Sequence, residues 1–399
     1  AMLKLEAQGA VLRGKFTSPH AAELEWCDRR LLARIHRLTI GALRREIQPV
    51  TSAQFMRWLL RWQHVGDGTK VFGERGTLEV IRQLQGFEAP ATAWERSILP
   101  SRIANYDPKI LDQLCLTGAI GWGRLSPHPA TLEETTSGNH RVIPTSAAPI
   151  SFFVRDESEW MMPHAGAENP EPRGISQNAR EVLRLLRDHG AQFFTDIVRA
   201  TGRLKSEVEL ALWELVAAGM ITADGFDNMR ALIDPKRRSG HGSGKSARPR
   251  HSSGRWSVLY GPTPVDRNKS LEAVCWMLLR RYGIVFREVI ARESILPRWR
   301  ELLITLRRLE DRGEIRGGRF VSGFLGEQFA LPMAVESLRA SRKQEPWGER
   351  VTLSAADPLN LAGSIIPGER VPAISGRSVT FIDGIVAEPE QIAARSAIA

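Results

Sequence analysis

Apolar residues recur along this chain with the period of a helix, and each such run closes on a glycine. From Asn178 to Gly190 the string NAREVLRLLRDHG sets Val182, Leu183, Leu185 and Leu186 on one stripe, with Arg180, Arg184 and Arg187 outside it. That pattern predicts an amphipathic helix. FFTDIVRATG predicts a short second helix with Thr195 as its N-cap, and LKSEVELALWELVAAG a third, with Ser206 as cap and Leu210, Trp213, Leu215 and Val216 inward. MITADGFDNMRALI follows as two hairpin-like segments. Helix, short helix, longer helix and β-hairpin wing is the order of a winged helix, a helix-turn-helix variant.

The same order returns twice. LEAVCWMLLRRYG, VFREVIARES, PRWRELLITLRRLEDRG and EIRGGRFVSGFLGEQFAL repeat it further on, and TLEVIRQLQG, APATAWERSILP, DPKILDQLCLTG and AIGWGRL anticipate it. The two glycines that frame each unit lie 29 residues apart at Gly190 and Gly219, 30 at Gly283 and Gly313, and 32 at Gly86 and Gly118. Each is read as a C-cap, where a left-handed residue lets the last helical carbonyls be satisfied. A fourth occurrence, LEAQGAVLRGKF with Gly9, holds only the end of a third helix and its wing, which predicts that the chain begins inside a domain.

Beyond the last unit, VTLSAADPLNLAG, ERVPAIS and SVTFIDGIVAE read as short strands between Pro and Gly turns. The fold class expected is therefore α+β, tandem winged-helix domains followed by a small C-terminal β-barrel-like module. The boundaries expected are 1–18 for the wing of the truncated unit, 19–70 for a helical connector, and 71–165, 166–265 and 266–332 for three winged helices. The β-module takes 333–390 and a loose tail 391–399. AENPEPRG reads as a linker, and KRRSGHGSGKSARPRHSSGR, residues 236–255, as a disordered insertion in a wing.

Composition adds a partner. The 399 residues carry 55 Lys+Arg against 45 Asp+Glu, a net charge of +10, which points to a polyanion such as nucleic acid. Seven of those charges sit in the 236–255 stretch, which has no carboxylate, so 10 − 7 leaves only +3 for the rest. Cys27, Cys115 and Cys275 are too far apart for a CxxC-type zinc site or a disulfide framework, which predicts a reducing, intracellular setting and no metal; with nucleic acid as partner, the location expected is cytoplasmic and nucleoid-associated. No apolar run approaches the ~20 residues of a membrane span. GHGSGKS fails as a phosphate-binding loop because Ser239 stands where the first glycine belongs, and neither a strand nor a helix flanks it. No cofactor is expected in this chain.

Where nucleic acid would be held follows from the winged-helix pattern, whose third helix meets base edges while the wing reaches the flanking backbone. Arg203 and Lys205 open that helix in one unit, and Arg298, Trp299 and Arg300 in the next; Arg316 and Arg319 lie on the last wing, Arg13 and Lys15 on the first. The predicted helix LEWCDRRLLARIHRLTIGALRREIQP adds Arg30, Arg34, Arg37 and Arg44 near one face, with Leu31, Ile35 and Leu38 on the next. Such a stripe tracks a phosphate backbone; the same residues also make a solvated face paired to carboxylates, as Glu25 with Arg29. AQFMRWLLRWQH is read as burying Phe55, Leu59 and Trp58 or Trp62, with stacking of a Trp on unpaired bases as the alternative.

The strings EWCDRRLLARIHR, RWQHV, VIRQLQGFEAPATAWERSILPSRI, EDRGEIRGGRFVSGFLGEQFALP and SAADPLNLAG, with the closing SVTFIDG, resemble the C-terminal region of the bacterial large helicase-related proteins (Lhr), over nearly all of the chain. The resemblance implies the DNA-binding and oligomerisation region of an ATP-dependent DNA-repair helicase whose two motor domains, with their ATP and Mg²⁺, lie ahead of this region. It implies DNA as partner, single-stranded or duplex with a single-stranded tail, and a homo-oligomer. A more distant similarity, to winged-helix DNA glycosylases of the AlkZ class, implies base excision, with Gln83 and Gln85 as a Gln-x-Gln pair beside a flipped base; Asp383 is the alternative carboxylate. The plain readings are two exposed residues of a first helix for the glutamines, and a turn aspartate for Asp383.

Overall fold

The computed structural model describes residues 2–18, 20–45, 48–132, 142–143, 145, 147–161, 174–233, 254–259, 266–373 and 376–387. The expected linker up to Arg173, the tail, and nearly all of the basic 236–255 stretch lie outside the described residues.

At the start, helix α1 (Met2–Ala7) leads into strand β1 (Val11–Gly14), which pairs antiparallel with β2 (Glu25–Asp28). The wing therefore runs to Asp28 rather than ending at residue 18, and helix α2 begins only at Arg29 and extends to Arg45. Asp28 caps it by accepting from the Arg30 and Leu31 backbone N–H groups. Glu25 does not pair with Arg29; its carboxylate holds the Phe16 and Thr17 N–H groups at 2.7 and 2.8 Å and so fixes the wing loop. Helix α3 (Ser52–Trp62) starts with a Thr51–Gln54 capping box and buries Phe55, Trp58 and Leu59.

In the unit that follows, α4 (Gly73–Leu84), β3 (Ala89–Pro90), a helical stretch α5 over 91–102 and α6 (Pro108–Leu116) precede β4 (Ile120–Gly123) and β5 (Pro149–Val154), with sheet order β3-β5-β4. The middle unit has α7 (Gln177–His189), α8 (Phe194–Thr201) and α9 (Lys205–Ala218). Their caps shift from the expected ones: Phe193 precedes α8, and Leu204 precedes α9, where the Glu207 carboxylate reaches back to the Leu204 N–H. Leu210 faces outward, because the inward side of α9 is already filled by Val208, Ala211, Leu212 and Leu215.

MITADGFDNMRALI does not form a hairpin. Only its first half is a strand, β6 (Ile221–Ala223), and the rest is helix α10 (Asp227–Ile233). The partner of β6 comes from beyond the basic stretch, as β7 (Trp256–Val258). One physical reason is Phe226, whose fully buried ring meets Trp122 and Phe152 edge-on, so the chain turns inward there. Trp122 also meets Trp256, and the two units thereby share one core.

The last winged unit has α11 (Arg267–Tyr282), β8 (Ile284–Val285), α12 (Trp299–Asp311), β9 (Arg316–Gly318) and β10 (Gln328–Ala330), in sheet order β8-β10-β9. VFREVIARES forms turns over 287–292 instead of a second helix. Arg292 is drawn out of a helical register: its guanidinium donates to the Ala355, Asp357 and Asn360 carbonyls. Helix α13 (Pro332–Arg342) packs on α3 and was not anticipated within the β-module.

The C-terminal module is a three-stranded antiparallel sheet, β11 (Arg350–Ser354), β12 (Ser378–Ile382) and β13 (Ile385–Val386), and it is not a closed barrel. ERVPAIS supplies no strand among its described residues, since Pro372 offers no ladder donor. Two buried ion pairs knit the units together. Arg102 of α5 forks onto Asp357 at 2.7 and 2.9 Å and also donates to Gln63, while Arg281 of α11 pairs with Glu293 and donates to the Gln85 carbonyl. All four charged side chains are at most 1% exposed.

Candidate nucleic-acid interface

Helix α12 presents Arg300, Ile304, Arg307 and Arg308 to solvent, a spacing of three and four residues that puts them on one face. Arg307 is tied to Glu327 at the base of the wing. Arg298 precedes the helix, exposed, and Trp299 turns partly into the core. On the wing Arg316 and Arg319 are exposed. The wing loop is braced from inside: Gln328 accepts from the Phe320 and Val321 N–H groups and donates to the Val321 carbonyl, and Phe324 packs on Phe286. Between Gly323 and Gly326, both in the left-handed region, Leu325 stands 86% exposed at the tip.

Helix α2 packs against β9, and Val50 bridges to Val321 just beyond it. Arg30, Arg34 and Arg37 are thus carried on an element adjoining the last wing, although nearly 280 residues separate them in sequence. None of these three, nor Arg300, Arg316 or Arg319, has an ion-pair partner among the described residues. The apolar stripe beside them is uncovered as well, with Leu31, Ile35 and Leu38 52%, 46% and 60% exposed.

The other candidates are differently placed. Arg13 lies 3.4 Å from Glu6 and over the Trp26 ring, and Lys15 is exposed in the loop after β1. Arg203 is forked onto Glu181 of α7; its hydrogen bonds and charge hold the Glu181 carboxyl below its usual range. Lys205 is exposed at the first turn of α9, but Glu207 shares that turn, and the second half of α9 is buried in the shared core. The third helix of the middle unit is thereby a packing element over most of its length.

Gln83 and Gln85 lie at the end of α4 and diverge; neither is exposed. Gln85 is buried, accepting from the Val154 N–H and donating to Glu157. Burial alone raises the Glu157 pKa, yet hydrogen bonds from Gln85 and Arg82 and the charges of Arg82 and Arg280 outweigh it and leave the carboxyl below its usual range. Gln83 faces a separate cleft of about 570 Å³ between α3, α4, the end of α11 and α13. Asp383 occupies the left-handed β12–β13 turn, both oxygens accepting from backbone, Gly348 N–H and Glu349 N–H. Gly384 beside it allows the turn to touch α3: a Cβ there would fall 2.2 Å from the Ala53 carbonyl oxygen. No cluster of metal-ligating side chains occurs among the described residues.

These elements define a protein of tandem winged helices with a basic face on the last of them. Residues 50–139 and 264–350 each match a winged-helix domain of the large helicase-related protein. The chain belongs to the large helicase-related (Lhr) family, within its winged-helix region. It is 30% identical over 418 aligned residues, 95% of the chain, to a Mycolicibacterium smegmatis protein described as "Lhr helicase/ probable uracil glycosylase". It is 28% identical over 389, 87% of the chain, to the Escherichia coli "Lhr helicase/uracil glycosylase". It spans about a quarter of the length of these curated relatives, 26% and 24%.

Proposed function

We propose that this winged-helix region is the DNA-holding part of an Lhr-type helicase. Its DNA surface is the exposed face of α12, the last wing and the arginine face of α2. The observation that carries the reading is the convergence of Arg30, Arg34 and Arg37 with Arg316 and Arg319 on adjoining elements, none of them neutralised by a neighbouring carboxylate. Cations in that arrangement bind phosphates of either strand type and set register without reading sequence. Fluorescence anisotropy with single-stranded, duplex and tailed DNA at rising salt tests it, and binding that is absent at low salt or insensitive to salt removes it. Self-assembly belongs to the proposal through the apolar stripe Leu31, Ile35 and Leu38; light scattering that finds only monomer at all concentrations contradicts that part.

A second reading is base excision, supported by the glycosylase in both relatives' descriptions and by the polar edge of Gln83 in an aromatic cleft. Gln85 and Asp383 support it less, since their polar atoms are engaged by Glu157 and by backbone. Incubation with uracil-containing oligonucleotides followed by alkaline cleavage tests it: no abasic product from the unaltered chain excludes this chemistry here.

A further inference from the structure

The tip of the last wing presents one apolar side chain on a fixed mount. The loop after β9 is tied down on both flanks: the Val50 N–H donates to the Phe320 carbonyl and the Ser322 N–H to the Val50 carbonyl, each at 2.8 Å, while Phe324 packs on Phe286 with ring centroids 4.9 Å apart. Past these anchors, Gly323 and Gly326 take φ of +89° and +93°, and a Cβ on either would meet nothing within 4 Å. The turn thus stands clear of the rest of the chain, with Leu325 between the two glycines and 86% exposed. A single exposed leucine is ordinary on a protein surface; what sets this one apart is the braced, left-handed turn that carries it. Its surroundings select the occupant. Arg316 and Arg319 lie exposed on the strand and loop that lead to the tip, with no ion-pair partner among the described residues, and the loop's carboxylate, Glu327, is held by Arg307 at 2.8 Å. An apolar point flanked by cations matches DNA, in which flat apolar base faces lie between two phosphate backbones. Magnitudes then choose the place on the duplex. Burying one leucine side chain favours a complex by roughly ten- to hundredfold. Opening an internal base step costs a factor of the same order, so insertion there is close to neutral. The outer face of a terminal base pair is already unstacked, and covering it carries no such cost.

We propose that Leu325 caps the last base pair at a junction between duplex and single-stranded DNA, its side chain on the open face of that pair and Arg316 and Arg319 on the flanking phosphates. The inference rests on the DNA-holding reading above and deepens it by naming the DNA feature that the last wing recognises.

The test uses the full chain and two DNAs with the same number of phosphates, a tailed duplex with 2-aminopurine in the last pair of its junction and a duplex closed by hairpin loops at both ends. The tailed duplex is expected to bind about 5- to 20-fold more tightly than the closed one, and the 2-aminopurine emission to fall on binding because a capped pair frays less. Leu325→Ser is expected to lower that ratio by about tenfold and abolish the emission change, while the slope of log K against log salt stays within about 0.5 of the parent, since leucine neutralises no phosphate. Leu325→Met keeps an apolar tip and is expected to hold the ratio within about twofold of the parent. Both variants should melt as the parent does, because the side chain they replace touches no core residue. Equal affinity for the two DNAs, a ratio that Leu325→Ser leaves unchanged, or an emission that rises on binding overturns the cap while leaving salt-dependent DNA binding intact. A Leu325→Ser chain that fails to fold also overturns it, since the tip is then a packing element. A parent chain that binds neither DNA overturns the DNA-holding reading and the cap together.

Discussion

Replacing Arg316 and Arg319 by Ala together removes two exposed cations from the last wing without touching the core. If Arg30, Arg34, Arg37, Arg300, Arg316 and Arg319 each neutralise one phosphate of duplex DNA, log K falls against log salt with a slope of about −5, since each contact contributes roughly −0.9. Affinity then drops on the order of 10³-fold between 50 and 200 mM salt. Without the two wing arginines the slope flattens by about 2, and the loss over the same range shrinks to about 10²-fold. Anisotropy titrations of a labelled duplex at four or five salt concentrations read both slopes directly. Arg203→Ala is the control: its guanidinium is spent on Glu181, so it is expected to leave the slope within about 0.5 of the parent. A double wing variant with the parental slope, or an Arg203 variant that flattens it as much, refutes the assignment of the surface.

Breaking the buried Arg102–Asp357 fork with Asp357→Ala is expected to cost about 3–5 kcal/mol in urea unfolding, because Arg102 is left charged and dry; a loss under ~1 kcal/mol contradicts the buried pair. Glu157, with a folded pKa below its unfolded value, contributes stability that is present above the unfolded value and disappears as pH falls through the folded one; Glu157→Gln should therefore flatten the acid limb of the stability profile, as thermal melts between pH 3 and 6 will show. Burial pushes the thiols of Cys115 and Cys275 up to about 12, so in the native protein at pH 8 iodoacetamide is expected to label Cys27 alone, by mass spectrometry of digests. Leu325→Asp on the exposed wing tip should leave thermal stability within ~0.5 kcal/mol and weaken duplex binding through repulsion from the backbone; a fall in stability instead places Leu325 in a packing role.

What sequence could reveal here was mostly what is local. A glycine after an amphipathic run marks a helix end through its own backbone freedom, and at Gly219, Gly283 and Gly313 the structure has that glycine in the left-handed region at the close of the third or first helix. The lapses lie where a distant segment decides. FDNMRALI carries no pattern that separates helix from strand over eight residues, and the outcome turns on Phe226 finding Trp122 and Phe152. VFREVIARES has helical spacing, but Arg292 is bound by three carbonyls of a module more than 60 residues away. The β-module lost its barrel for a similar reason: its turn at Asp383–Gly384 is used for docking on α3, and its second predicted strand carries Pro372.

The arginines make the same point about function. With 46 of them in the chain, the residue type alone says little about phosphate binding. Arg102 and Arg281 are fully buried and weld units together, Arg203 serves Glu181, and Arg292 is a backbone clamp, whereas Arg316, Arg319 and, on α2, Arg30, Arg34 and Arg37 face solvent without an ion-pair partner among the described residues. Nothing in the local strings separates these groups, because each buried arginine is defined by a carboxylate or carbonyl brought in by the fold. The two glutamines of α4 divide likewise, Gln85 into a satisfied network and Gln83 into a cleft with an acceptor to spare. A surface that holds DNA is then best sought not where cations are densest in the sequence but where the fold has left them uncompensated, and in this chain that criterion selects the last wing and the helix packed beside it.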